Sequence, residues 1–392
     1  MEDISAVNDA PVVRLLDKVL QEAVRLKASD IHFEAFSDGF KVRCRVDGVI
    51  IDLTSPPPQL FAPVISRIKV LANLDVAESR VPQDGRLAVN IGDKDIDMRV
   101  STLPTVFGES VVLRVLDKDQ GVVAIDELGM WEDDLPRFKS LFSLPNGLVL
   151  VTGPTGSGKT TTLYSFMSEL NSVERKIITT EDPVEYDMPG AVQIPIDSKI
   201  GLDFSTSLRT ILRQDPDIIM VGEIRDEETA QIAVQAALTG HLVLSTLHTN
   251  NAPGAITRLI DMGIEPYLIT STLRAVIAQR LVRKICPHCI DTYHPSEAEK
   301  EAFGLNDGED LRFFKGSGCD KCNNSGYKGR TALFEFLEVK DDLHFAIMQR
   351  VSTAGIRDKA IQMGMVTIRE DGLRKARRGI TTLEEVFKET QL

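Results

Sequence analysis

The sequence contains no run of 18 or more apolar residues, so no membrane-crossing helix is expected. Its first residues, Met1-Glu2-Asp3-Ile4-Ser5, lack the basic and apolar regions of a secretory signal. Cysteine is scarce. There are five in 392 residues, four of them in two tight pairs, which is not the pattern of a secreted disulfide framework. A cytoplasmic enzyme is the expectation. Basic charge is also in short supply, with Lys+Arg 45 against Asp+Glu 58 and a net charge of −13. Phosphate neutralisation dominates nucleic-acid affinity, so a broad nucleic-acid-binding face is not expected, although a local basic channel would escape that argument. No repeat or low-complexity segment is present. The remainder, 43% hydrophobic and 26% charged, is ordinary for a globular chain. Its length suggests two or three domains.

Against this plain background stands Gly153-Pro154-Thr155-Gly156-Ser157-Gly158-Lys159-Thr160, a complete G-x-x-x-x-G-K-[ST] loop. The apolar run Leu148–Val151 precedes it, and a helically spaced segment beginning Thr160-Thr161 follows it. Strand, glycine loop and helix is the order that cradles a nucleoside triphosphate. Backbone N–H groups turn inward around the phosphates, and the helix N-terminus adds its partial positive charge. Lys159 would reach the β- and γ-phosphates and the Thr160 hydroxyl would sit on Mg²⁺.

Upstream, residues 11–27 carry an apolar stripe of helical period, and Ile31–Glu34 reads as a strand. Phe40–Val46 alternates strictly, Asp47-Gly48 marks a tight turn, and Val49-Ile50-Ile51 returns as the partner strand. A helix over Pro63–Leu71 and two strands, roughly 86–100 and 109–116, complete an α+β domain. An acidic, glycine-punctuated connector follows. Beyond it, expected strands at 148–152, 176–181, 217–222 and 242–247 alternate with helices, implying an α/β domain with a mainly parallel sheet. The spans read as an N-terminal domain over 1–118, a linker over 119–129 and an ATPase domain over 130–392.

A hydrolytic site also needs a carboxylate near Mg²⁺, a group to orient water and positive charge for the transition state. Asp217-Ile218-Ile219-Met220-Val221-Gly222-Glu223 is a buried-type strand ending in an acid. Taken as the strand beside the phosphate loop, it delivers Glu223 toward the metal; the bland alternative is an acid that caps the next helix. Thr179–Tyr186 holds a second acidic cluster, in which Glu181 is the candidate for activating water, unless the loop is simply a solvated one. His241 and His248 flank the strand at 242–247. The first reads equally well as structural, the second as a γ-phosphate sensor.

The order of these motifs, 153–162, 179–186, 212–226 and 238–250, closely resembles the secretion ATPases of type II secretion and type IV pilus assembly. Upstream, residues 28–34, 80–86 and 97–104 resemble that family too, so the likeness spans the chain. The resemblance implies a RecA-like P-loop ATPase domain behind an α+β, PAS-like domain. It also implies a homo-hexameric ring that hydrolyses ATP to ADP and docks peripherally on inner-membrane platform proteins. In its terms Arg99 and Arg114 of the first domain reach the phosphates, and Arg209, Arg213, Arg225 and Arg330 lie in or near the site. Each arginine has a plain alternative as a surface ion-pair partner. The family's longer members carry a further N-terminal platform-docking domain; this chain starts almost at their second domain, as a short member or a truncated form. The leading reading is a motor for pseudopilus assembly and export by type II secretion, with type IV pilus extension as the alternative; sequence does not choose between the two. The acidic balance argues against a RecA-like nucleic-acid motor, and Glu181 with Glu223 against a nucleotide-gated assembly platform.

Cys286-Pro287-His288-Cys289 and Cys319-Asp320-Lys321-Cys322 are two C-x-x-C pairs, each presenting two thiolates from one turn. Together they read as a tetrahedral Cys₄ zinc subdomain over 286–330, with a small helix around Ser296–Phe303; a redox pair is the alternative. Four thiolates leave no open position, so this metal would be structural. Family members with such motifs export proteins or extend pili. Cys44 reads as a core residue.

Overall fold

The computed structural model describes residues 9–92, 94–117, 121–305 and 311–391. Two compact units, Met1–Gly121 and Val122–Leu392, divide the chain. The expected boundary at 118/119 lies outside the described residues.

The first unit is an antiparallel sheet of six strands, β1 (Asp30–Phe36), β2 (Gly39–Val46), β3 (Val49–Thr54), β4 (Gln83–Ile91), β5 (Lys94–Thr105) and β6 (Gly108–Asp117), ordered β3-β2-β1-β6-β5-β4. The helices Asp9–Arg25 and Phe61–Leu71 lie on one face, where Leu16, Leu20, Val64 and Ile68 pack against Ile31, Phe33, Val42, Met98 and Leu113. Cys44 is fully buried there, and burial pushes its thiol up to about 11. The expected strand over 86–100 is in fact two strands. Gly92, at φ +67°, opens the turn between β4 and β5, a conformation that suits glycine. Strand register runs Arg86 opposite Arg99, Arg99 opposite Arg114, Arg114 opposite Asp30 and Asp30 opposite Arg45. Side chains alternate between faces, so this charged row lies on the face away from the two helices.

The second unit holds β7 (Gly147–Thr152), β8 (Ile177–Glu181), β9 (Ala191–Pro195), β10 (Ile218–Val221), β11 (Leu242–Leu247), β12 (Leu273–Ile285), β13 (Ile290–Tyr293), β14 (Phe313–Gly316) and β15 (Tyr327–Glu338). Seven of them form one sheet, ordered β15-β12-β7-β11-β10-β8-β9, parallel throughout except that β15 runs against β12. Alternate residues of β7 enter two different cores. Leu148 and Leu150 meet the helices on one side, and Val149 and Val151 pack with the helix Lys159–Leu170 on the other. A strand covered on both faces is read as a continuous apolar run. Strand β10 does not lie beside β7. β11 is inserted between them, which corrects the expected placement of the strand that ends at Glu223. The strands β9, β12 and β15 were not anticipated. β13 and β14 pair as a separate ribbon in the connection between β12 and β15, and between them in the chain lies the helix Glu297–Phe303, which Ser296 caps.

Candidate nucleotide site and cysteine cluster

The phosphate loop leaves β7 at its C-terminal end and runs into the helix Lys159–Leu170. Gly153 and Gly158 are required by space as well as by torsion. A Cβ at Gly153 would stand 2.5 Å from the Gln279 carbonyl, and one at Gly158 would stand 2.7 Å from the Gln279 amide. Lys159 arches back over the loop, donating to the carbonyls of Gly153 at 2.8 Å and Pro154 at 3.0 Å. Burial lowers the Lys159 pKa, while Glu223 works to keep the ammonium charged. Inside the loop Ser157 is 3% exposed, yet its hydroxyl has no protein partner, as suits a group that faces a ligand.

Glu223 follows β10 and takes partners from its own strand end and from that of β11. His248, just after β11, brings Nε2 to its Oε2 at 3.2 Å. Arg225 forms an ion pair with Glu223 and stands 3.8 Å from Asp182, which follows β8. Partial burial opposes ionisation, but Arg225 and His248 hold the Glu223 carboxyl below the usual carboxylate range. The edge of the sheet thus gathers Lys159, His248, Glu223, Arg225 and Asp182, with Thr160 and Thr161 opening the helix alongside. Open α/β sheets bind ligands at this carboxyl edge.

Glu181 is placed differently from the expectation. It is 3% exposed, and Tyr164 donates to its Oε2 at 2.5 Å while Thr179 and Gln193 donate to its Oε1 at 2.6 and 3.1 Å. A carboxylate so enclosed and so fully bonded anchors the strand end and has no open side for water. His241 takes the structural role, its Nδ1 lying 3.0 Å from the Ala236 carbonyl. Asp226 caps the helix Glu227–Leu238 through the Thr229 N–H at 2.8 Å.

Among the arginines, Arg225 joins the Glu223 cluster. Arg209 pairs with Glu228, and Arg213, one turn on, donates to the Arg209 carbonyl at 3.0 Å. Arg330 lies on the outermost strand β15, in register opposite Arg283. Arg99 and Arg114 belong to the charged row of the first unit, where Arg114 donates to Asp30 at 3.1 Å. Sequence reasoning missed Gln279, which is 2% exposed and accepts the Thr162 hydroxyl at 2.7 Å. The signal was there, since Gln279-Arg280 interrupts the apolar run Ala275–Val282.

Cys286, Cys289, Cys319 and Cys322 come together with all four sulfurs within 4.8 Å of one another. The Cys286–Cys319, Cys289–Cys322 and Cys319–Cys322 separations are 3.9, 3.8 and 3.7 Å. Four thiolates about 2.3 Å from one zinc in a regular tetrahedron would stand about 3.8 Å apart, so the donor set fits that ion. Burial opposes ionisation of Cys322, but the N–H groups of Cys319 and Gly326 aimed at its sulfur pull the thiol down to about 6.

The model of the type II/IV secretion system protein family matches residues 5–388. The chain is 53% identical to the type II secretion system protein E of Xanthomonas campestris pv. campestris, over 100% of this chain and 70% of that protein. It is 49% identical to the type II secretion system ATPase E of Vibrio cholerae, over 99% of this chain and 77% of that one. A crystal structure of the pilus retraction motor PilT with bound ADP superposes with a TM-score of 0.65 at 26% identity, covering 96% of this chain and 97% of that one. With a phosphate loop, a facing acid cluster and a family match across nearly all its length, the chain belongs to the type II/IV secretion system proteins and is one of their ATPases.

Proposed function

We propose that the chain is a motor that hydrolyses ATP to drive pseudopilus assembly and protein export by type II secretion. The observation that carries this is the convergence of Lys159, Glu223, His248 and Arg225 at adjoining strand ends. Thr160 and Glu223 would hold Mg²⁺, which neutralises charge on the phosphates and polarises them; the residues themselves bind and orient. Loop N–H groups and Lys159 hold the β- and γ-phosphates, and His248 reports on the γ-phosphate. Arg225, which pairs with Glu223, would supply a cation for transition-state charge. Glu181 serves through the Tyr164 network as an anchor of the strand end. Arg99 and Arg114, on a first unit read as PAS-like, supply further cations from a homo-hexameric ring, with Arg209, Arg213 and Arg330 in supporting places.

The ring works on the cytoplasmic side of the inner membrane through platform proteins. No helix among the described residues is long and apolar enough to cross a membrane. The four cysteines hold a structural zinc. Extension of a type IV pilus is the second reading, supported by 48% identity to the type IV pilus assembly ATPase PilB of Myxococcus xanthus. The test is purified-protein turnover together with rescue of a strain lacking the ATPase. Lys159→Ala is expected to abolish hydrolysis with the fold intact. Glu223→Gln is expected to bind nucleotide yet turn over at a rate lower by about 10²-fold or more, as loss of one charge-stabilising group does. Appreciable activity in Lys159→Ala would end the reading. Rescue of pilus extension but not of exoprotein secretion would select the second.

A further inference from the structure

The segment that presents His248 is held from three sides. Thr152, the last residue of β7, accepts the Thr249 N–H at 2.9 Å and donates to the Leu247 carbonyl at 2.9 Å. Arg280 of β12 donates to the Asn250 carbonyl at 2.9 Å. Glu335 of β15 accepts the Ala252 N–H at 2.8 Å on one oxygen and the Ile368 N–H at 3.2 Å on the other. Ala252 and Ile368 are the first residues of the helices Ala252–Asp261 and Ile368–Arg377. One carboxylate therefore closes the N-termini of two helices, where negative charge is favoured.

Arg280 and Glu335 share a face of the β12–β15 ladder, since Glu335 stands opposite Ala278. They are 7% and 2% exposed. Burying a guanidinium and a carboxylate is unfavourable, and hydrophobic residues of like volume often do better where shape alone matters. Shape is not what these two supply. Together with Asn250, Asn251, Thr367 and Thr390 they line a cavity of about 290 Å³. On the side of the cavity the segment is held by its hydrogen bonds, while Ala252 packs in the core. The geometry points to Arg280 and Glu335 as positioning residues for hydrolysis: they grip the chain at Asn250 and Ala252 and so set where His248 stands against Glu223. Through Ile368, Glu335 also ties that placement to the C-terminal helices.

This inference rests on the reading of His248 as the side chain that works with Glu223, and the experiment separates the two. ATP turnover is measured for Arg280→Gln, Arg280→Lys and Glu335→Gln, each alone and combined with His248→Ala. Displacing a positioned group by about 1 Å can lower a rate on the order of 10²-fold. Arg280→Gln and Glu335→Gln are therefore expected to lower kcat about 10- to 100-fold with KM for ATP within about threefold. Arg280→Lys, which keeps one donor for Asn250, is expected to recover part of the loss. In the His248→Ala background the same changes should alter kcat less than about twofold, because residues acting as one unit are not additive. Thermal unfolding of each variant shows whether it folds. Full additivity with His248→Ala, or variants that lose thermal stability while keeping kcat per active site, would overturn the assignment. His248→Ala at the wild-type rate would remove the underlying reading and the inference with it. A slow His248→Ala beside a fast Arg280→Gln and a fast Glu335→Gln would remove the inference alone.

Discussion

In the six-stranded sheet the candidate functional residues lie in mid-strand on one face; in the seven-stranded sheet they lie at strand ends. The cause is coverage. Helices pack on only one side of the antiparallel sheet, so period-2 alternation leaves Arg86, Arg99, Arg114 and Arg45 on the other. The parallel sheet is packed on both sides, its odd and even residues entering separate cores, so chemistry can collect only where the strands stop. Like charges directly opposite each other weaken a sheet. The row places Arg86, Arg99 and Arg114 side by side, with Asp30 between Arg114 and Arg45 offsetting part of the charge.

The largest effect should come from that row. Arg99→Ala or Arg114→Ala is expected to lower ATP turnover on the order of 10³-fold, as loss of a transition-state cation does, with nucleotide affinity changed much less. Turnover per chain of the unaltered protein should rise with protein concentration, because the proposed ring would bring the first units into play. Concentration-independent activity with both variants near the normal rate would reduce the row to surface charge and dissolve the contrast between the sheets.

A smaller effect is expected at the cysteines, which belong to neither pattern. Elemental analysis should find one zinc per chain. Cys286→Ser, or chelation, should lower Tm on the order of 10 °C, with activity lost only as the fold loosens. Metal-free protein of unchanged Tm would refute the site.

The smallest effect sharpens the comparison. Arg43 shares the face of the row but is paired with Glu34 at 2.7 Å. Arg43→Ala should leave turnover alone and change stability by about 1 kcal/mol or less, the range of exposed pairs. A large loss of turnover there would show that the whole face acts, not the row.

The phosphate loop and the cysteine pairs were legible because each is contiguous chemistry, with every required residue within a few positions. So was the alternation of β2. The row was not, since its members come from positions 30, 45, 86, 99 and 114 and meet only through register. Residue spacing likewise could not show β11 inserting between β7 and β10, because strand order is a property of crossovers. Glu181 misled for a local reason. An acid beside other acids reads as solvated, and only the fold reveals Tyr164, Thr179 and Gln193 closing over it. Arg280 and Glu335 were silent because their partners, Asn250, Ala252 and Ile368, lie 30, 83 and 33 residues away.

Lys159 donates to the carbonyls of Gly153 and Pro154, so an arriving phosphate does not meet an idle cation but competes with two oxygens of the protein. Its contribution to affinity is then the difference between an oxyanion and those carbonyls, which is smaller than a bare ion pair would give. The same carbonyls take the ammonium back when ADP departs, so release leaves no half-buried charge unsatisfied. Grip and letting go are balanced within one turn of chain, which is what a machine that must discard its spent fuel at every stroke requires.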